Sequence, residues 1–293
     1  MSQPKEGIRW GTERRLEFIE FRMFWEGGIN RSDIVDRFGV SVPQASADIS
    51  LYQQVAPDNV LYDSSQKRYV PTPAFIPQFL RPSADKYLAE IKSIADGVVD
   101  RGDTWLQAPL PADAMSVPRG VVDITLLRSV VQAVRTKQSV EIEYQSMNQE
   151  RPERLWRRVT PHAFGFDGVR WHVRAFCHIS HKFKDFRLSR CSGLRNFGEP
   201  AAGADEDEGW NRYFEVVLVP HKGLSESQKK TVALDYAMSD GRLVLSIRMA
   251  LLFYFFKRMR LDFNAYDSSP YANPLEIENE EAFQTALAMA NKI

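Results

Sequence analysis

Cysteine is scarce: Cys177 and Cys191 are the only two in the chain. Two thiols so spaced make neither a disulfide framework nor a zinc site, because no third and fourth sulfur ligand exist. A reducing, cytoplasmic compartment is the expectation. Long apolar runs are also missing. The longest, residues 249–256, falls far short of the roughly 20 residues that span a bilayer, and the N-terminus has no apolar signal segment. The expectation is therefore a protein neither secreted nor membrane-spanning. Net charge of either sign is absent too. Thirty-eight Lys and Arg balance 38 Asp and Glu, which removes any overall pull toward nucleic acid or membrane. Catalytic signatures are lacking: there is no G-x-S-x-G, phosphate loop or paired-carboxylate pattern, and the five histidines have no H-x-x-x-H companion. No enzyme activity, metal or cofactor is expected.

What remains is a chain of 293 residues, 44% hydrophobic and 26% charged, enough for two or three domains with real cores. Its neutral average hides an asymmetry. Residues 121–198 hold 14 basic against 7 acidic side chains, residues 199–293 hold 10 against 15, and residues 1–82 hold 10 against 10. The middle is the basic part.

In residues 1–82 the apolar spacing predicts a first helix over 12–25, capped by Thr12 and broken at Gly27-Gly28. A second helix starts at Asn30 or Ser32 and ends at Gly39, and Ser41 caps a third that has Pro43 in its first turn. That is helix-turn-helix spacing. Ala45, Ile49 and Tyr52 fit the inward face of the third helix. Ser41, Gln44, Ser46, Asp48 and Ser50 are then the candidates for base-edge and phosphate contacts. Residues 59–62 and 67–70 form a hairpin tipped by Lys67 and Arg68, placed as a wing along a phosphate backbone. Arg14, Arg15, Arg22, Arg31 and Arg37 are further phosphate candidates. A helical domain that binds protein is the alternative for this segment.

Residues 83–138 read as a connector: a helix from Ser83 to near Gly97, a proline-rich loop, and an amphipathic helix through Ile124, Leu127, Val130 and Val134. Its apolar faces suit packing or a dimer contact.

In residues 139–198 the chemistry concentrates. Strands are expected at 139–146 and 157–166, the second with Pro161 at an edge or bulge. A two-residue turn at Asp167-Gly168 and a strand over 169–178 follow. Along that strand Val169, Trp171, Val173, Ala175 and Cys177 alternate with Arg170, His172, Arg174, Phe176 and His178, so one face is apolar and the other mostly basic. A return strand with Phe186 and Leu188 on the apolar face gathers His172, Arg174 and Arg187 on the other. That face is either a solvated surface or an anion site. Trp171, Val173, Phe186 and Leu188 read as core. Arg190 shares their parity, so it serves the site only if the strand ends or bulges before it. Four or five short strands entered from a helix suggest a small closed or nearly closed barrel.

The order helix-turn-helix, helical connector, then strand-turn-strand around R-W-H-V-R and F-R-L-S-R resembles the WYL-domain family of bacterial transcription regulators. Trp171, His172 and Val173 match its Trp-Tyr-Leu tripeptide, with His in the central place. The chain is most similar to the BrxR/CapW group, dimeric repressors associated with phage-defence operons. The resemblance implies an α+β, multidomain protein: a winged helix-turn-helix (1–82), a connector (83–138), a central SH3/Sm-like β-barrel or WYL domain (139–198), and a small C-terminal α+β extension (210–293). It implies a homodimer, a double-stranded DNA operator, and a nucleic-acid or nucleotide-like anionic ligand. Onto this chain it carries Tyr144, Ser146, His162, His172, Arg174, Arg187 and Arg190 as ligand-site residues; guanidinium forks bind phosphate, and Tyr and His bond to or stack on a base.

After an acidic, linker-like stretch at 203–209, strands at 214–219 and 242–248 alternate with helices at 225–238, 251–259 and 278–291. The aromatic run Phe253, Tyr254, Phe255 and Phe256 suits either core packing or a dimer interface. Repressor is the expected function. An activator of the same build and a single-strand-binding module are the rivals.

Overall fold

A computed structural model describes residues 9–107, 110–118, 120–147, 153–259, 261 and 269–290. They fall into two compact units, Met1–Ser116 and Val117–Ile293.

The first unit opens with α1 (Trp10–Glu26), α2 (Arg31–Phe38) and α3 (Val42–Val55). Thr12 lies inside α1 and does not cap it; the helix begins earlier, at an Arg9 cap without a side-chain bond. Asn30 and Asp33 close a capping box on α2, which satisfies the free backbone N–H groups reciprocally. Gly39 ends α2 at φ 64°, a left-handed conformation that a Cβ disfavours. Two residues later Ser41 caps α3 by accepting from the Gln44 N–H at 3.3 Å. The three helices pack on Leu16, Ile19, Ile34, Ala45, Ile49 and Tyr52, all essentially solvent-free. The wing is β1 (Val60–Asp63) paired antiparallel with β2 (Arg68–Pro71). Glu20 is wholly buried under this core. Its carboxylate accepts the N–H groups of Gln78, Phe79 and Leu80 at 2.7–2.9 Å and the Tyr52 hydroxyl at 3.0 Å, a full complement for a buried charge. The connector helix α4 (Ala84–Ala95) is capped by Ser83 and has no buried residue; Tyr87 joins it to α1 by stacking on Trp25 at 4.0 Å.

The second unit begins with α5 (Ile124–Thr136) and a five-stranded antiparallel sheet: β3 (Ser139–Gln145), β4 (Arg154–Phe166), β5 (Trp171–Cys177), β6 (Lys182–Arg187) and β7 (Cys191–Gly198), in spatial order β6-β5-β4-β3-β7. The expected closed barrel is not formed, since no ladder joins β6 to β7 among the described residues. The sheet is nonetheless rolled. Five flat strands would set their edges about 19 Å apart at the usual strand spacing. One 3-10 turn, Leu188–Arg190, carries the chain from edge to edge, and even stretched it reaches only about 15 Å. That turn occupies the seam and drops Leu188 into the core, so the edges approach without pairing. Pro161 sits in central β4, not at an edge, beside a register shift between Pro161 and Ala163. The link from β4 to β5 has four residues, not two: Phe166 pairs with Trp171, and the Asp167 carboxylate accepts the N–H groups of Val169 and Arg170. Trp171 is 55% exposed and not core, whereas Val173, Phe186 and Leu188 are buried beneath α5.

Beyond the sheet, α6 (Glu208–Asn211) leads into the sheet β10-β8-β9, built from β8 (Tyr213–Pro220), β9 (Leu243–Arg248) and β10 (Leu275–Ile277). It packs with α7 (Glu226–Asp235), α8 (Leu252–Arg258) and α9 (Glu280–Ala290) around Leu218, Leu252 and Phe283. Phe255 and Phe256 join this core. Residue 291, the end of the expected last helix, lies outside the described residues.

Candidate functional site

Two surfaces carry the candidate residues. The first is α3. With Ala45, Ile49 and Tyr52 turned inward, Val42, Gln44, Ala47 and Ser50 are exposed and Ser46 half-buried, its hydroxyl donating to the Val42 carbonyl at 3.0 Å. Asp48 was expected among the exposed positions. It is buried, and Arg15 grips it from α1 through Nε–Oδ2 at 2.6 Å and Nη2–Oδ1 at 3.1 Å. At the wing tip Lys67 is exposed with φ 52°. Arg68 folds back to donate to the Glu26 carbonyl at 3.2 Å and so leaves the tip. Of the other basic candidates, Arg22 is buried on Glu26, Arg37 donates to the carbonyls of Gly102 and Asp103, Arg14 pairs with Glu17, and Arg31 donates to the Tyr69 hydroxyl at 3.3 Å.

The second surface is the rolled sheet, where the seven ligand candidates divide. Tyr144, Ser146 and Arg190 line a cavity of about 350 Å³ together with Arg157, Cys177, Ser180, Lys184 and Phe186. β6 stops at Arg187, and the 3-10 turn takes Arg190 out of strand parity to the cavity wall. The Arg157 guanidinium lies 5.3 Å from the Tyr144 ring, a cation–π placement, and its Nε finds no hydrogen-bond partner among the described residues. Arg187 bridges the two faces. Its backbone N–H donates to the Tyr144 hydroxyl at 3.3 Å, while the residue pairs across the ladder with His172. Burial lowers its pKa, helped by the charges of Arg190 and Arg170.

His162, His172 and Arg174 lie on the opposite face, and that face is covered. Arg174 is 6% exposed. Its Nε and Nη2 reach Asp207 at 2.7 and 3.0 Å, and Nη1 reaches Asp185 at 3.4 Å. His162 Nε2 is 2.9 Å from Asp207 Oδ2, the oxygen that also accepts from Arg174 Nε. Burial alone would raise the Asp207 pKa, but the hydrogen bonds from His162 and Arg174 outweigh it and bring the carboxyl down to about 2. Asp185 moves the other way: burial raises it, and Arg174 and His172 offset only part. The His172 ring stacks on Tyr254 of α8 at 5.0 Å. Burial lowers its pKa against the pull of Asp185 and Asp167, so it is neutral near pH 7.

Three participants escaped the reading of the sequence. Arg157 and Lys184 both sit at core parity, Arg157 two residues from Val159 and Lys184 two from Phe186; a cation on an apolar face was the available signal. Asp207 is one of four consecutive acids, and nothing in their order marks which one turns inward.

Family models match three successive stretches: the BrxR transcriptional regulator winged helix-turn-helix domain over residues 11–93, the WYL domain over 125–196, and the BrxR transcriptional regulator C-terminal dimerization domain over 213–283. A DNA-binding transcriptional repressor CapW of Stenotrophomonas maltophilia is 39% identical over 281 residues, covering 96% of this chain and 93% of that protein. The chain belongs to the BrxR/CapW family of transcriptional regulators. A CapW repressor of Pseudomonas aeruginosa is 36% identical over 280 residues, 96% of this chain and 93% of its own. A solved structure of proteasome accessory factor B/C of Arthrobacter aurescens aligns at a TM-score of 0.26 and 17% identity, over 99% of this chain and 50% of that one; so low a score is no guide to the fold. In this BrxR/CapW family member the cavity lies wholly inside the WYL stretch, whereas Asp207 falls in the residues between the WYL and C-terminal stretches.

Proposed function

We propose that the chain is a homodimeric, DNA-binding transcriptional repressor, acting in the cytoplasm on a phage-defence operon and released from its operator by a nucleic-acid or nucleotide-like anion. Its working parts are a winged domain over 1–82, a connector over 83–138, a WYL domain over 139–198 and a dimerising extension over 210–293. The observation that carries the reading is α3: capped at Ser41 and fully seated on one face, it turns an uncharged row of Gln44, Ala47 and Ser50 outward beside a hairpin tipped with Lys67. Short amide and hydroxyl side chains on such a helix read base edges, and a cation on the wing meets phosphate. Ser41, Ser46 and Ser50 lie close enough to the outer face to bond to phosphate or bases, while Asp48 and Arg68 act from behind it. A dimer sets two such helices in successive major grooves of a palindrome.

The ligand's place is the cavity at Tyr144. Arg157, Lys184 and Arg190 supply three cations against the one acid of the lining, Asp185, and Ser146 and Ser180 supply hydroxyls; Arg187 stands next to them, its N–H on the Tyr144 hydroxyl. His162, His172 and Arg174 back the sheet through Asp207 and Tyr254. Binding in the cavity favours one arrangement of the dimer over the other and shifts the population away from DNA. The test is nuclease protection of the DNA upstream of the chain's own gene, with and without short oligonucleotides. Protection of an inverted repeat, relieved by the oligonucleotide in the native protein and retained in Arg190→Glu, is the expected result. Absence of protection, with tight binding to single strands instead, overturns the repressor reading.

A further inference from the structure

The outward row of α3 contains one side chain whose orientation is dictated from below. Gln44 is exposed in the first turn of α3, the part of a recognition helix that reaches base edges, and its Nε2 donates to Asp48 Oδ1 at 3.0 Å. Asp48 is 1% exposed, and an ionised carboxylate only accepts. A Gln44 amide turned end for end would put oxygen against oxygen, so the nitrogen must face Asp48. Asp48 cannot rotate away to allow the turn. Arg15 holds both its oxygens, at 2.6 and 3.1 Å, and Arg15 is itself tied to the Gly11 carbonyl at 2.9 Å and the Thr12 hydroxyl at 3.3 Å. The chain of contacts Gly11, Arg15, Asp48, Gln44 thus runs from helix backbone to an exposed amide without a freely turning member.

One amide hydrogen is consumed by Asp48. What Gln44 has left to offer is Oε1 as acceptor and the second Nε2 hydrogen as donor, side by side. In the major groove adenine shows the complement, an N6 donor beside an N7 acceptor, whereas guanine shows two acceptors, O6 and N7. We infer that Gln44 reads an adenine in each operator half-site, and that Asp48 and Arg15 are positioning residues that fix which way its amide points. This rests on the DNA-binding reading of α3 and adds to it a base and the reason for that base.

The experiment is selection of full-length protein on duplexes randomised across the protected site, followed by affinity measurements on matched duplexes differing by A or G at the selected position. Native protein is expected to enrich adenine at one symmetry-related position per half-site and to prefer it over guanine by about tenfold to a hundredfold, the range of a bidentate base contact. Gln44→Ala, a surface change that leaves the core alone, is expected to bind both duplexes equally. Gln44→Glu has no donor left and is expected to move the preference to cytosine, whose N4 donates. Asp48→Asn can give or take a hydrogen bond, so it frees the Gln44 amide; its A-over-G ratio falls to within a few-fold while affinity for mixed-sequence DNA is kept. A purely structural Gln44–Asp48 contact would move none of these ratios. Native selection of a defined site without an adenine preference overturns the inference and leaves the DNA-binding reading standing, as does Gln44→Ala retaining the preference. An undiminished ratio in folded Asp48→Asn removes the positioning role. Native protein that retains no duplex at all overturns both.

Discussion

Arg15 with Asp48 in the winged unit and Arg174 with Asp207 in the WYL unit make the same contact: a guanidinium fork on both oxygens of a buried aspartate, with nitrogen–oxygen distances of 2.6 to 3.1 Å. Their surroundings differ. Arg15 keeps an exposed flank, with 14% of its side chain open, against 8% for Arg174. Asp48 has one further side-chain partner, the exposed Gln44, whereas Asp207 also binds buried His162 and caps α6 through the Trp210 N–H at 3.0 Å. The first pair spends its geometry on an outward-facing group. The second neutralises the basic face of the sheet and fastens that face to the start of α6. An arginine in a basic stretch is therefore not by itself a vacancy for an anion; the deciding factor is whether the same fold supplies the acid.

The largest expected effect comes from that contrast. Asp207→Ala leaves buried Arg174 with only its 3.4 Å contact to Asp185 and is expected to destabilise the second unit by about 3–5 kcal/mol, read as a drop in urea midpoint. Asp48→Ala, whose arginine retains access to water, is expected to lose about 1–3 kcal/mol; equal losses would remove the distinction. By the same logic Arg174→Glu is expected to prevent folding rather than to abolish a ligand response selectively. Next comes acid. Asp207 has a folded pKa of about 2, below the value of about 3.9 of a free aspartate, so its contribution is complete above pH 4 and is lost as pH falls through the folded pKa. Tryptophan fluorescence should report a loosening of the second unit between about pH 4 and pH 2, worth roughly 2 kcal/mol, that Asp207→Asn no longer shows. Tyr254→Phe removes a 3.2 Å bond to Asp185 but leaves the ring on His172; a loss of about 1 kcal/mol is expected from chemical denaturation. Smallest is Arg190→Glu, at the cavity wall and in none of these ion pairs, which is expected to leave stability within about 0.5 kcal/mol of native by the same measurement.

Much of the winged unit was legible because its determinants are local. Asn30, Gly39, Ser41 and Pro43 act within one turn of themselves, and caps of that kind read directly from residue order. The strand periodicity likewise placed Val173 and Phe186 in the core and His172, Arg174 and Arg187 on the other face. Periodicity assigns a face without saying what covers it. The partner of Arg174 is 33 residues away in an acidic run that reads as a solvated linker, and the ring over His172 is 82 residues away in α8. Trp171 failed for a related reason: it has core parity, but it sits where the strand begins, beyond the reach of α5 and beside Phe166. Closure of the sheet depended on the seam at Leu188–Arg190, three residues whose pattern simply continues the strand before them.

That seam has a mechanical consequence. Gly120 lies so close to Ser189 that a Cβ at position 120 would stand 2.4 Å from the serine Cβ; only a bare backbone can run there. The backbone at Gly120 thus passes the turn one residue from Arg190, with no side chain of its own between them. Any side chain at position 120 would push this backbone and the turn apart, so the fit of the seam depends on a hydrogen standing where every other residue carries a Cβ.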